Sequence, residues 1–167
     1  MNDAKATRSS FYCVREQAFT SSFPPTDQAL SEPDGLLAIG GKLNVKTLLE
    51  AYKLGIFPWY SEGSPVMWWS PKVRPVIRPS EIRISKSLKK TINKNPFDLS
   101  YDKCFKKIMQ YCSTSGDRTG KSWITSTMIE AYTDLHKLGH AHSVECWQNG
   151  ELCGGLYGVS VGRVFYG

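Results

Sequence analysis

Apolar residues recur at helical spacing in four stretches of this chain, and at strand spacing toward its end. Leu48, Leu49 and Tyr52 share one face of a helix predicted over 45–54, with Asn44 as its N-cap and Gly55 as its left-handed stop. Leu88 and Ile92 lie on one side of a second helix, opened by Ser85 or Ser87 and running to about Lys94. Phe105, Ile108, Met109 and Cys112 mark a third, following Ser100. Met128, Ile129, Tyr132 and Leu135 mark a fourth, capped by Thr125 and stopped at Gly139.

Past Gly139 the period changes to two. Residues 141–147 read as a strand, Asn149-Gly150 is a strong hairpin signal, and 151–159 returns as the second strand. Gly162 turns the chain into a third strand over 163–166. The sequence stops inside that strand, which leads us to expect an unpaired edge and an incomplete sequence. Helices followed by antiparallel strands make an α+β fold. Pro71, Pro75 and Pro79 puncture the middle of the chain and mark an extended connector. We therefore place a boundary near Val73, between an aromatic-rich N-terminal lobe over 23–73 and a second domain over 74–167. Residues 1–22 read as a polar, disordered leader. The first ten lack the apolar core of an export signal, and no apolar run approaches membrane-spanning length, so the expected location is cytoplasmic.

Gly55-Ile-Phe-Pro-Trp-Tyr60, followed by Met67-Trp-Trp-Ser-Pro71, changes this picture most. In an extended strand Trp68 and Trp69 point to opposite faces, so one of them lines a groove or an interface. Proline before Trp59 stiffens the backbone and biases Phe57 away from helix. A stiff aromatic platform suits a flat ligand such as a nucleobase; a core corner built from aromatics is the alternative.

Charge adds a partner class. Lys plus Arg number 21 against 15 Asp plus Glu, a formal +6. The excess gathers in the middle third, where Lys86, Lys90 and Lys94 recur at i, i+4, i+8 with Lys89 beside them. That face suits a polyanion, or is a solvated helix surface. Five cysteines without a Cys-x-x-Cys pair argue against a disulfide framework or a zinc site and read as reduced thiols in core positions.

Three further motifs carry little. Gly116-Asp-Arg-Thr-Gly-Lys-Ser122 has three residues where a phosphate loop needs four, and a helix where it needs a strand. Gly35 to Gly41 lacks dinucleotide-loop spacing. His140 and His142 alternate on a strand, with Glu145 facing away from His142, so they read as hydrogen-bonded structural histidines rather than metal ligands. No serine, histidine and acid form a recognisable catalytic arrangement in the sequence.

Taken in order, Phe23-Pro-Pro, Glu32-Pro-Asp-Gly-Leu-Leu-Ala-Ile-Gly-Gly41, Leu48 through Tyr60, Trp68-Trp-Ser-Pro71 and Arg74 strongly resemble the leucyl/phenylalanyl-tRNA–protein transferases. Trp123-Ile-Thr125, Glu130-Ala-Tyr132, Leu138-Gly-His-Ala-His-Ser-Val-Glu145 and Gly154-Gly-Leu-Tyr-Gly158 continue the resemblance to the last residue. It implies an enzyme that moves leucine or phenylalanine, sometimes methionine, from aminoacyl-tRNA to the N-terminal lysine or arginine of a protein, marking that protein for degradation. It also implies that the second domain is the opening part of an acetyltransferase-like (GNAT-like) fold, and that the protein acts as a monomer without a membrane partner. No metal or coenzyme is required, because the ester already carries the driving force; the enzyme orients the reactants, handles a proton and stabilises an oxyanion.

Residue by residue, the resemblance assigns Trp59, Trp123 and Tyr132 to the tRNA's terminal adenosine. Leu156 and Phe165 fall to the apolar pocket for the transferred side chain, and Lys86, Lys90 and Lys94 to tRNA phosphates. The acid and the later Asp-x-Gln segment that it puts nearest the chemistry lie beyond Gly167. The expectation is therefore that the chain as given is inactive or nearly so. A noncatalytic RNA-binding module and a coenzyme A-dependent acetyltransferase are the alternatives, the latter on fold alone.

Overall fold

A computed structural model describes residues 12–14, 23–94, 96–115 and 122–167. Two four-stranded sheets and four α-helices make a mixed α+β architecture among these residues. The first sheet runs β1 (Tyr12–Val14), β2 (Leu36–Gly40), β4 (Met67–Trp69), β3 (Phe57–Pro58), with β1 parallel to β2 and the other pairs antiparallel. The second is antiparallel throughout, in the order β5 (Asp98–Tyr101), β6 (Ala141–Gln148), β7 (Glu151–Val161), β8 (Val164–Tyr166).

Helix α1 (Val45–Lys53) begins where Asn44 accepts the Thr47 amide at 3.0 Å and ends at Gly55, whose φ of +72° admits the turn into β3. Helix α4 (Ser126–Lys137) is likewise capped by Thr125, which accepts from Met128 N at 3.2 Å, and stops before Gly139 at φ +77°. Helix α2 (Lys86–Asn93) is capped by Ser85 and buries none of its residues. Helix α3 (Phe105–Thr114) buries Phe105, Ile108 and Met109. The hairpin turn uses Asn149 and Gly150, both at positive φ.

Both sheets contribute to one apolar cluster. Trp68, Leu48 and Ile56 from the first half meet Met109, Met128 and Leu135 from the second. Trp68 is fully buried, donates its indole N–H to Gly40 O at 3.0 Å and packs edge-on against Phe23. Fully burying side chains of this kind contributes about 1.5–3 kcal/mol each. The cluster includes a polar clasp: Tyr52 on α1 and Tyr132 on α4 share a buried hydroxyl–hydroxyl hydrogen bond of 2.6 Å. The connector runs the other way. Val73, Val76 and Ile77 are at least 77% exposed, so this stretch is anchored elsewhere. Arg74 supplies one anchor, with its guanidinium 5.3 Å from the Phe57 ring centroid and hydrogen-bonded to Ser70 Oγ at 3.3 Å.

Several expectations need correcting. Strand β5 was not foreseen, because its polar Ser100 faces inward while Leu99 and Tyr101 face out. None of the five cysteines occupies a fully buried core position; Cys13 and Cys153 are exposed, Cys104, Cys112 and Cys146 partly so, and all are free thiols. Within the expected leader, Tyr12–Val14 forms β1 against β2, and its other residues lie outside those described. Residues 116–121, the polar segment whose spacing falls short of a phosphate loop, also lie outside those described.

Candidate functional site

Trp59 follows directly on β3, where its amide donates to Met67 O at 3.0 Å. Half of the residue is exposed (50%). Trp69 braces it from behind, donating its indole N–H to Trp59 O at 2.7 Å, with ring centroids 5.5 Å apart. The alternation expected at Trp68-Trp69 is realised as one core tryptophan and one outer brace.

The segment carrying Trp123 meets the same corner. Tyr60 OH lies 3.4 Å from Thr125 Oγ1, a buried contact that ties the residue after Trp59 to the cap of α4. Trp123 keeps 37% of its surface exposed, while its neighbour Ile124 is buried. Two accessible indoles are thus carried by segments fixed to one another through their neighbours. Tyr132 lies beneath, with 3% of its surface exposed and its hydroxyl held by Tyr52. Its ring packs against Tyr52 and Tyr157 and has no free face for stacking. Burial raises both phenols: Tyr52 to about 12, despite the hydrogen bond it shares with Tyr132, and Tyr132 well above the usual value.

Leu156 and Phe165 sit on the opposite face of the second sheet. Along β7, Tyr157 and Val159 pack toward the helices, so Leu156, Gly158 and Ser160 point outward. Phe165 pairs with Ser160, and its ring lies over Gly158. A Cβ at Gly158 would come within 2.6 Å of Phe165 Cζ and would also press on Tyr166 O. Gly158 therefore gives the phenyl ring its seat. Leu156 and Phe165 remain about half exposed, at 49% and 47%. Gly158→Ala is expected to lift Phe165 and disturb the β7–β8 pairing. That should appear as a displaced Phe165 ring signal in NMR spectra while α1 and α4 signals stay in place; an unmoved ring would show that Gly158 is not its seat.

Lys86, Lys89 and Lys90 are exposed on α2, and Lys94 is exposed at its C-cap. Leu88 and Ile92 are themselves 50% and 52% exposed. A hollow of about 370 Å³ between the start of α1 and α4, lined by Asn44, Lys46, Glu130 and Asp134 among others, contains none of the aromatic or pocket residues named above.

Two polar clusters escaped the sequence reading. Glu145 is fully buried and accepts from Ser100 Oγ and Ser143 Oγ, both at 2.5 Å, and from Cys104 N at 3.3 Å. Burial pushes its pKa up, but those hydrogen bonds outweigh it and leave the carboxyl below its ordinary value. The second cluster joins Asp102 to His142. Asp102 Oδ2 is 2.8 Å from His142 Nδ1, and Asp102 Oδ1 accepts Ser143 N at 2.8 Å. His136 Nδ1 stands 3.7 Å from the same carboxylate and 2.8 Å from Ala141 O. Burial raises Asp102, yet the bonds from His142 and Ser143 bring it below the usual carboxylate value. Among the described residues no group of His, Cys, Asp and Glu is arranged to hold a metal. No helix in them is long and apolar enough to cross a membrane.

Comparison with known proteins gives this geometry its context. The family model described as leucyl/phenylalanyl-tRNA protein transferase matches residues 76–167, and the model for the N-terminal domain of that family matches 41–72. The leucyl/phenylalanyl-tRNA–protein transferase of Legionella pneumophila strain Paris is 53% identical over 150 residues, covering 90% of this chain and 67% of the relative. Those of Nitrosomonas europaea and Methylococcus capsulatus are 51% and 50% identical over 154 and 146 residues, with 65% and 62% of each relative covered. The chain thus spans about two thirds of the length of these relatives. Two family models in chain order and half-identical relatives over nine-tenths of the sequence place this chain in the leucyl/phenylalanyl-tRNA–protein transferase family.

Proposed function

We propose that the chain serves the transfer of leucine, phenylalanine or methionine from aminoacyl-tRNA to the N-terminal lysine or arginine of a protein, in the cytoplasm and as a monomer, so that the product is marked for degradation. The observation that carries the reading is the pair of accessible indoles, Trp59 and Trp123, on a corner tied together by Tyr60 and Thr125. All tRNAs share the same terminal adenosine, and stacking is tolerant of sequence, so such a corner suits that end. Leu156 and Phe165 form the apolar seat for the transferred side chain. A seat of this kind rejects charged side chains by desolvation and separates similar hydrophobes weakly. The order of β5, α3, α4 and the three strands β6 to β8 supports an acetyltransferase-like reading of the second half.

The lysines of α2 serve as phosphate contacts. Replacing Lys86, Lys90 and Lys94 together by alanine is expected to weaken tRNA binding and to lower its salt slope by about 2 to 3. A short aminoacyl-adenosine mimic should bind almost unchanged. An unaltered salt slope would return these side chains to the solvated surface.

Function itself is tested with labelled leucine, offered on tRNA to a peptide beginning with arginine, in parallel with this chain and the Legionella relative. The account expects this chain to bind charged tRNA more tightly than deacylated tRNA. Transfer at a rate near the relative's would put the reacting groups within residues 1–167; binding without transfer would put them in sequence the relative carries in addition. Turnover of acetyl-coenzyme A without tRNA would overturn the proposal.

A further inference from the structure

We propose that Cys146 and Cys153 are a modification site: a dithiol that a small disulfide such as oxidised glutathione closes into a reversible bond beside Leu156. The proposal is independent of the transfer reading above, and either can fail without the other.

The pairing of β6 with β7 brings the two thiols together. Cys146 lies opposite Gly154 and Trp147 opposite Leu152, so Cys153 is the extra residue of a β-bulge. A bulge sets two residues of one strand against one of the other, and here Cys153 and Gly154 share Cys146. A Cβ built on Gly154 would stand 3.8 Å from Cys146 Cβ, so the strands approach closely enough at this point for a disulfide. The Cys153 thiol donates to Cys146 O at 3.2 Å. Its sulfur is therefore already on residue 146, and rotation about Cα–Cβ carries it from that carbonyl to the neighbouring sulfur. Burial pushes the Cys146 thiol up, and a hydrogen bond with the Cys153 side chain raises it further.

Position sets this pair apart from the other cysteines. Cys13 is on β1 of the other sheet, Cys104 is the N-cap of α3 and Cys112 lies within α3. Cys153 is exposed and Cys146 partly buried, so an oxidant reaches Cys153 first and Cys146 stands behind it as the resolving thiol. The two are seven residues apart along the chain. Closing so short a loop removes little entropy from the unfolded chain, so the bond gains little from that source and stays open to reduction. A reducing compartment keeps the pair as thiols, and disulfide stress closes it. On β6 Ala141, Ser143 and Glu145 are buried, which leaves Cys146 on the outer face with His142 and Val144. Val144 is opposite Leu156. The bond thus forms one step along that face from Leu156, and fixing the hairpin there shifts that side chain.

Bond formation is a double exchange. Cys153 gives its proton to solvent and its sulfur attacks one sulfur of oxidised glutathione. The glutathione S–S bond breaks, a mixed S–S bond forms, and one glutathione leaves as its thiolate. Cys146 then gives up its proton and attacks Cys153 Sγ, which releases the second glutathione. Two cysteine thiols are oxidised to one disulfide, and one glutathione disulfide is reduced to two thiols.

The test incubates the whole chain with oxidised glutathione, quenches with acid, alkylates the remaining thiols and maps the peptides by mass spectrometry. The expected result is a fragment carrying Cys146 and Cys153 that has lost two hydrogens and takes up no alkylating reagent, reversed by dithiothreitol. In Cys146→Ser the mixed disulfide should persist on Cys153; in Cys153→Ser, Cys146 should remain alkylatable. Leu156 methyl signals in NMR spectra should shift when the wild type is oxidised and return on reduction, with the Trp59 indole signal unmoved. A glutathione adduct that stays on wild-type Cys153 beside an alkylatable Cys146 would overturn the proposal. So would glutathione on Cys13 with the pair untouched. Leu156 signals that ignore a closed disulfide would overturn its tie to that side chain.

Discussion

Replacing Glu145 by alanine is expected to lower the stability of this chain by about 3 kcal/mol or more. The carboxylate is fully buried and joins β5, β6 and the start of α3 through Ser100, Ser143 and the Cys104 amide. Trp147 extends the network by donating its indole N–H to Ser100 Oγ at 2.8 Å. Removing the acceptor strands two hydroxyls and an amide in a dry site. For a chain of this size each kcal/mol moves the melting temperature by about 2–4 °C, so a drop on the order of 6–12 °C is expected. Glu145→Gln should cost less, about 1–2 kcal/mol, because one carbonyl acceptor remains and the hydroxyls can rotate. Acid should narrow the gap between wild type and the glutamine variant. The folded carboxyl titrates below its ordinary value, so its contribution is complete above the unfolded value and is lost as pH falls through the folded one. Urea melts at neutral pH and at a pH below the folded value of the Glu145 carboxyl measure both effects. Equal stabilities of wild type and Glu145→Ala would mean that the network does not hold the sheet to α3.

Trp59→Ala should weaken binding of a phenylalanyl-adenosine mimic by about 2 kcal/mol, roughly thirtyfold, within the range for one stacked base. The change removes an indole that is half exposed and contributes little to the core, so the fold should stand. Trp69 would lose its ring neighbour but keep its hydrogen bond to the backbone carbonyl of residue 59. Tyr132→Phe makes the contrast. It leaves the hydroxyl of Tyr52 without its partner and should cost stability, on the order of 1 kcal/mol, more than affinity. Calorimetric titration with the mimic and thermal melts on both variants separate the two roles. Loss of affinity only in Tyr132→Phe would contradict the assignment of the indoles.

Local rules carried the sequence reading a long way. Asn44, Ser85 and Thr125 accept amides as helix caps, and Gly55, Gly139, Gly150 and Gly162 turn the chain at positive φ. The opposed faces of Trp68 and Trp69 followed from alternation alone. What escaped was set by distant pairing. Strand β5 reverses the usual pattern because its inward Ser100 satisfies a carboxylate 45 residues away. The partners Asp102 and His142 are 40 residues apart, and Tyr52 and Tyr132 are 80. No spacing rule brings such pairs together before the sheet and the helices are in place. Tyr132 illustrates the limit from the other side. Its helical spacing with Met128 and Leu135 marks it as a core residue, and its burial agrees, so any part it has at the adenosine is through support.

The most direct measurement of the central claim, that this chain receives the aminoacylated end of tRNA, is a competition read at the two exposed tryptophans. Phenylalanyl-adenosine amide is titrated while the indole signals of Trp59 and Trp123 are followed, and acetyl-coenzyme A is titrated in a parallel sample. The account predicts saturable shifts of both indoles with the mimic, displaced by leucyl-tRNA and untouched by acetyl-coenzyme A. Indoles that ignore the mimic and respond to acetyl-coenzyme A would contradict it.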